Sequence, residues 1–422
     1  MKKIISSLLL ASVLTGVIGG CTAQPQNTNV TVKGEPVQVN IQELNNSASA
    51  DFRAQYLNTS FELLKKQIGS NENVMISPAS IMIALSMAEA GAKGDTKTQM
   101  AALWGGENDP DGQLSYAADI YKRLNSSNGV TMHAADSMWL NEKIMNGHTN
   151  SEYVDFVKKY YNSEVNSLAF DDNAVNKMNK WVSDNTNNMI DRIIESLEPS
   201  SAMVLMNAIA FEGKWAEAYE DHQVSEGVFK SASGEEQKVN MLNEMSFSYL
   251  ENDLATGFVK YYEGGQYAYV VMLPKDENQS ADDMLKDFTG DKFDEFVNSE
   301  THEYDVRTKL PEFNYDYETS LVDTLKELGM TDAFASNADF TGIATFDDDT
   351  YLYINKVIHK THIELDRNGT KAAAVTAVMI DAAGAVMNDK ETKEVYCDRP
   401  FAYAIVDMTD NTPVFIGTVN NI

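Results

Sequence analysis

The sequence predicts an α+β fold in one large domain, with large antiparallel or mixed sheets. Three observations carry that expectation. Helical periodicity dominates residues 51–70, 79–105 and 112–125. Runs rich in β-branched and aromatic residues gather in the second half, at 257–273, 304–313, 351–365 and 401–419, without strict alternation with helices. No linker rich in Pro, Gly or Ser divides the chain after residue 50, so 51–422 reads as one domain.

The chain opens on Lys2 and Lys3, and then on an apolar stretch from Ile4 to Ile18 that is short for a bilayer span. The stretch closes on Ile18-Gly19-Gly20-Cys21, and small residues directly before a cysteine resemble the bacterial lipobox. That resemblance implies a lipoprotein signal peptide over 1–20, a lipid on Cys21, and export to the cell envelope, at the outer membrane or cell surface. An ordinary signal peptide with a chance cysteine is the plainer reading. Residues 21–50, rich in Asn, Gln, Ser and Thr, read as a flexible tether. Further on, Ser77 is placed to cap a helix that Pro78 opens. Later helices are expected at 151–161, 173–195, 281–298 and 317–329.

Composition narrows the function. A net charge of −30 argues against nucleic acid as a partner, because phosphate would be repelled. Cys21 and Cys397 are the only cysteines, so with Cys21 lipidated no internal disulfide forms and stability must come from a core. The sequence has no Gly-x-Ser-x-Gly elbow, phosphate loop, His-Glu-x-x-His or Cys-x-x-Cys. His359 and His362 fall close together, but on a strand they face opposite ways. Cys397 with His359 is a conceivable nucleophile and base, although a buried, inert cysteine is the better reading. Neither a metal nor a cofactor is implied, and the chemistry points away from an enzyme.

Asn73 to Ile81 with Gly91 to Thr96, Asn179 to Thr186, Asn207 to Trp215, Leu310-Pro311-Glu312-Phe313, Leu328 to Phe334, Ala338 to Ile343, Asp398-Arg399-Pro400-Phe401 and Phe415-Ile416-Gly417 follow one another along the chain. Together they resemble the serpin family of protease inhibitors. Asn73 to Thr96 resembles its second helix and the exit from it, Asn179 to Thr186 the helix across its main sheet, and Asn207 to Trp215 a central strand of that sheet. The resemblance implies a single-domain fold of about eight or nine helices, a large central mixed sheet, additional sheets and an exposed reactive loop over about 367–397. It implies a monomer that traps its target protease in a covalent acyl complex. It also matches Ser77, Ser80, Asn207 and His359 to a polar cluster where the sheet strands part, and Trp215 to the aromatic at the top of that opening.

In inhibitory serpins the stretch from Gly369 to Gly384 is the hinge and first part of that loop, with Gly369, Thr370, Ala372, Ala373, Ala374 and Thr376 at the hinge. After cleavage this segment enters the main sheet as a new strand. The residues can be weighed on their own. A segment entering the middle of a sheet must be narrow, free of proline, and uncharged on the face turned to the core. Residues 370–399 contain no proline. Read with period two, Thr370, Ala372, Ala374, Thr376, Val378, Ile380 and Ala382 share one face without a charge, while Lys371 and Asp381 take the other. By itself the stretch reads equally as an Ala-rich helix, which Val375, Thr376 and Val378 weaken.

Family spacing puts the reactive bond at Ala383-Gly384, which suits elastase-like or subtilisin-like enzymes. The segment onward to Pro400 is longer than the family commonly has, so Val386, Met387 and Lys390 are alternative scissile residues, Lys390 suiting a trypsin-like enzyme. Two positions depart from the family: Arg367 stands where a glutamate is usual, and Lys371 replaces a common acidic residue. They leave open a non-inhibitory serpin-fold binding protein that is cleaved as a substrate, and an inhibitor of papain-like cysteine proteases is a further alternative.

Overall fold

Asn45 starts the first helix by accepting hydrogen bonds on its side chain from the Ser47 and Ala48 amides, at 3.1 and 3.0 Å. In this computed structural model the described residues are 39–126, 129–198, 200–370 and 390–422. Residues Val32–Ile422 form one compact unit, and the separate unit Met1–Thr31 lies outside the described residues.

Along the chain come α1 (Asn46–Lys65), β1 (Val74–Ile76), α2 (Pro78–Glu89), α3 (Gly94–Ala102), α4 (Pro110–Asn125), β2 (Val130–Asn141), α5 (Glu142–Met145), α6 (Ser151–Tyr161), β3 (Glu164–Leu168) and α7 (Asp172–Asn185). There follow β4 (Met203–Lys214), β5 (Val224–Lys230), β6 (Glu236–Ser246), β7 (Leu250–Glu251), β8 (Ala255–Gly257), β9 (Val259–Tyr261) and β10 (Tyr267–Pro274). The last third holds α8 (Ala281–Lys286), α9 (Gly290–Asn298), β11 (Asp305–Pro311), β12 (Phe313–Ser320), α10 (Val322–Glu327), β13 (Ile354–Asp366), β14 (Gly369–Thr370), β15 (Thr392–Tyr396), β16 (Phe401–Asp407) and β17 (Thr412–Val419).

Three sheets organise the described residues. The main sheet runs β12-β13-β14-β4-β2-β3, a second runs β15-β11-β6-β5, and a third is built on β1-β17-β16-β10-β8-β7 with β9 on β10. In the main sheet β13 pairs directly with β4 in parallel from Ile354 opposite Met203 up to His362 opposite Ala210. Above that point the two-residue β14 lies between them, antiparallel to both.

The main sheet is covered on both faces, which is why the first nine residues of β4 are all buried. Met203, Leu205, Ile209 and Phe211 face the large core under α1 and α2. Val204, Met206 and Ala208 face the other way, into a second core with Met178 and Val182 of α7. Trp139 and Trp181 meet edge to face at 5.9 Å under α7.

The α+β class holds, and the differences from the sequence reading have local causes. Residues 39–50 do not extend as a tether: Val39, Ile41 and Leu44 pack against the core, and α1 begins at Asn46. The run 79–105 is two helices, because Gly94 takes φ +53° and Lys93 caps α3 in an extended conformation. The run 281–298 is likewise split, since Thr289 accepts from Lys292 N at 3.2 Å and starts α9 afresh. α7 stops at Asn185, short of 195, ahead of Asn187 and Asn188 at φ +51° and +57°. The helix expected over 317–329 begins only at Val322. Phe313 to Ser320 is strand, with Phe313, Tyr315, Tyr317 and Thr319 less exposed than the residues between them, an alternation of period two. β2, β3, β5 and β6 also fall within 130–246, where β4 is the one strand that the family resemblance marks.

Truncating Leu205→Ala in β4, where the side chain is fully buried, should cost about 2–5 kcal/mol. A lowered denaturation midpoint with an unchanged far-ultraviolet spectrum is the expected result.

Candidate functional site

One polar row crosses three strands in the middle of an otherwise apolar sheet. Asp136 of β2 lies opposite Asn207 of β4, and Asn207 lies opposite His359 of β13. Ser77 and Ser80, at the start of α2, meet the row from the core side, and all five residues are buried. A buried polar group needs partners, and nearly all of these have them. The Ser77 amide donates to His359 Nε2 at 3.0 Å, so the proton sits on Nδ1, which donates to Asn207 Oδ1. Asn207 Nδ2 donates to Asp136 Oδ1 at 2.6 Å and to Ser80 Oγ. Ser80 Oγ donates to Asp136 Oδ1 at 3.1 Å, and Ser77 Oγ to the Val414 carbonyl at 2.8 Å. The chain of donors fixes one tautomer and ties β2, β4 and β13 to α2. Asp136 Oδ2 has no hydrogen-bond partner among the described residues.

Burial sets the charge states. It lowers the His359 pKa to about 3, so the imidazole is neutral. Burial raises the Asp136 pKa to about 7, against the opposing hydrogen bonds from Ser80 and Asn207.

The upper end of the slot is built from close backbone approaches. A Cβ on Gly369, at φ +151°, would stand 2.1 Å from the Gly213 carbonyl oxygen, so only glycine fits. Thr370 is buried beside Leu365 and Gly213, and its hydroxyl meets Tyr262 Oη at 2.7 Å. Trp215 stacks on Tyr262 with centroids 4.6 Å apart, and its Nε1 donates to the Asp366 carbonyl at 2.9 Å. Asp366 Oδ1 in turn accepts the Asn368 and Gly369 amides at 2.6 and 3.2 Å, shaping the turn from β13 into β14. Arg367 faces two carboxylates, Asp221 at 2.7 Å and Glu312 at 3.7 Å. The arginine in the usual glutamate position is therefore matched by acidic neighbours.

The structure brings Ser77, Ser80, Asn207 and His359 into one contact network, and places Trp215, Gly369 and Thr370 together higher in the same slot. Asp136, Tyr262, Asp221 and Glu312 were missed. Asp136 had a signal, an acid inside the apolar alternation of β2; the other three are brought in by topology alone. Ala372, Ala373, Ala374, Thr376, Ala383, Gly384, Val386, Met387 and Cys21 lie outside the described residues. Lys390 is described: its Nζ donates to the His302 carbonyl at 2.9 Å and sits 5.2 Å from the Phe247 ring centroid. Cys397 is buried and burial pushes its thiol pKa up, while both ring nitrogens of His359 are already engaged. The pair is no nucleophile and base. Among the described residues no group of three or more His, Cys, Asp or Glu could hold a metal ion.

A family model described as serpin (serine protease inhibitor) matches residues 54–422. The chain belongs to the serpin family. A serpin-like protein of Methanosarcina mazei is 29% identical over 99% of this chain and 97% of its own. The native state of tengpin, a thermophilic serpin, aligns with TM-score 0.82 at 36% identity, covering 93% of this chain and 98% of tengpin. Human thyroxine-binding globulin shares the fold at TM-score 0.78 with 21% identity, covering 89% of this chain and 99% of its own. Serpins as a family inhibit proteases rather than catalyse reactions.

The two buried titrating groups act on stability in opposite senses. Asp136, raised from 3.8 to about 7, is protonated when folded and ionised when unfolded between those values, so its contribution is lost as pH rises through them. His359, lowered from 6.5 to about 3, takes a proton only when unfolded in that window, so stability falls as pH drops. Asp136→Asn should remove the first effect. Its denaturation midpoint, relative to wild type, should climb from about pH 4 to about pH 7, and a pH-independent difference would contradict the assignment.

Proposed function

We propose that this serpin is a suicide inhibitor of serine endopeptidases, of elastase-like or subtilisin-like specificity, cleaved at Ala383-Gly384. The observation that carries the reading is β14. Gly369 and Thr370 already sit between β4 and β13 in antiparallel register. Continuing that register would place residue 372 beside Phe211 and Ile363, 374 beside Ile209 and Thr361, and 376 beside Asn207 and His359. These are the uncharged, small-residue positions of the loop sequence, and on insertion they would meet the core face of the slot. Residue 371 falls between Glu212 and Glu364, so Lys371 would gain two carboxylates on the solvent-side face. Arg367 thus meets opposite charge, and Lys371 would meet it on insertion.

In the proposed reaction the protease serine attacks the Ala383 carbonyl carbon and the bond to Gly384 breaks. The serine proton passes through the protease's base to the leaving amine, and an ester joins Ala383 to the enzyme. The freed segment then parts β4 from β13 and becomes a strand between them. Each new hydrogen bond is worth about 0.5–1.5 kcal/mol net, so a dozen or so give on the order of 10 kcal/mol. That is comparable with the stability of a whole domain and can deform a tethered enzyme. Cleavage after Lys390 fits less well, because a trypsin-like pocket would first have to draw its ammonium off Phe247. We further propose that the inhibitor acts as a monomer at the cell envelope, held there through a lipid on Cys21.

Incubation with elastase-like, subtilisin-like, trypsin-like and papain-like enzymes tests this. A denaturant-resistant adduct with release of the peptide Gly384–Ile422 is expected. Thr370→Arg, which forces a long cation into the buried top of the slot, should leave the loop cleaved and the protease active. Clean cleavage of the wild type with every enzyme still active would favour a serpin-fold binding protein instead.

A further inference from the structure

We infer that the open cavity at the foot of β4 and β13 is a binding site for an organic cation with an aromatic body, and that an occupant ties the feet of the two strands together. The site stands apart from the inhibitory reading above; only its effect on strand parting rests on that reading.

Three segments wall the cavity, which holds about 530 Å³, within the roughly 300–1,000 Å³ range of small-molecule sites. One is α5 with the loop after it, one is the approach to β4 at Ser200 and Ala202, and one is the approach to β13 over 346–353. Backbone contacts fix these walls. The Asn141 amide donates to the Ala202 carbonyl at 2.9 Å, the Asn150 amide donates to the Ile343 carbonyl at 2.8 Å, and Thr149 forms a bridge with Ala344. The cavity is therefore preformed by the fold.

Its lining selects the ligand. Two ring pairs contribute, His148 with Phe346 at 5.4 Å between centroids and Tyr351 with Tyr353 at 5.9 Å. Tyr351 is 48% exposed, so its ring is open to a ligand. Ile144 and Ala202 add aliphatic surface. The carboxylates of Asp347 and Asp348 stand in the lining against the Lys143 ammonium and the His148 imidazole, and Asp349 follows in the same bend. The Thr350 amide donates to Asp348 Oδ1 at 3.0 Å and holds that bend. Aromatic rings beside carboxylates attract a cation with an apolar body, through the ring quadrupole and through charge. An anion meets the wrong sign, in a chain of net charge −30.

The place of the cavity in the sheet gives occupancy a consequence. Ala202 directly precedes Met203, and Tyr353 directly precedes Ile354, the pair with which the β4–β13 ladder begins. The Ala202 amide also donates to Asn355 Oδ1 at 2.9 Å, across the two strands. Complete parting of β4 from β13 pulls these two walls apart, and a ligand that touches both is held less well once they separate. By linkage, the ligand favours the closed slot by the same factor.

Titration calorimetry of the full chain with benzyltrimethylammonium tests the site, with benzyl alcohol and benzoate as the neutral and anionic probes. Expected is saturable binding of the cation, with the other two weaker by about tenfold or more. Tyr351→Ala and Asp347→Asn should each weaken the cation by about tenfold. Both residues are exposed, so thermal midpoints should match wild type, and either variant stands in should the other fold poorly. No saturable binding, equal binding of benzyl alcohol, or full affinity in both variants would overturn the site. A loop-cleaved sample whose unfolding midpoint has risen should bind the cation about tenfold more weakly than the intact protein, and equal affinity would overturn the tie between the strands. A cleaved sample with no rise would defeat the insertion reading and the tie with it, while the intact protein still decides the site.

Discussion

Everything in this molecule depends on how β4 and β13 are joined. They run parallel and share a ladder from Ile354 opposite Met203 to His362 opposite Ala210, and then they part. Where they part, Gly369 and Thr370 fill the gap in antiparallel register. Parallel neighbours far apart in sequence can separate without breaking a hairpin, so a third strand can enter between them. The cost is the ladder hydrogen bonds of one pairing; the return is two ladders, one on each side of the newcomer.

The polar row sets that cost. Asp136, Asn207 and His359 cross the sheet at one level and are bound from below by Ser77 and Ser80 of α2. Parting β4 from β13 breaks the contact between Asn207 and His359 in the dry interior, where an unmade hydrogen bond is expensive. A hydroxyl arriving at the same level, as Thr376 would in the extended register, can both donate and accept there. On the other face, α7 and its small core of Met178, Val182, Val204 and Met206 lie across the path. The slot is thus closed by a polar latch on one face and an apolar cover on the other.

Much of this was legible in the sequence, and the parts that were not have physical reasons. α6 falls at 151–161 as its periodicity indicated, and Ser77 caps α2 by accepting the Ser80 amide at 3.3 Å. Local signals suffice for such features. The breaks at Gly94 and Thr289 were hidden because apolar spacing continues across them, and the end of β12 because Tyr317 to Ser320 run directly into the helical spacing of Leu321, Leu325 and Leu328. β4 is buried on both sides and loses its alternation, so only the family resemblance marked it; β3, β5 and β6 bury few residues and so show no clear apolar face. Arg367 could be judged a departure from sequence, but not a compensated one. Its partners Asp221 and Glu312 lie 146 and 55 residues away along the chain, and only the fold brings them to it.

Calorimetry of the intact and the loop-cleaved protein, under identical conditions, tests most directly whether the segment after Thr370 becomes a strand between β4 and β13 once the loop is cut. A gain on the order of 10 kcal/mol predicts a rise of roughly 10–15 °C in the unfolding midpoint on cleavage. An unchanged or lower midpoint in the cleaved protein would mean that the slot stays shut.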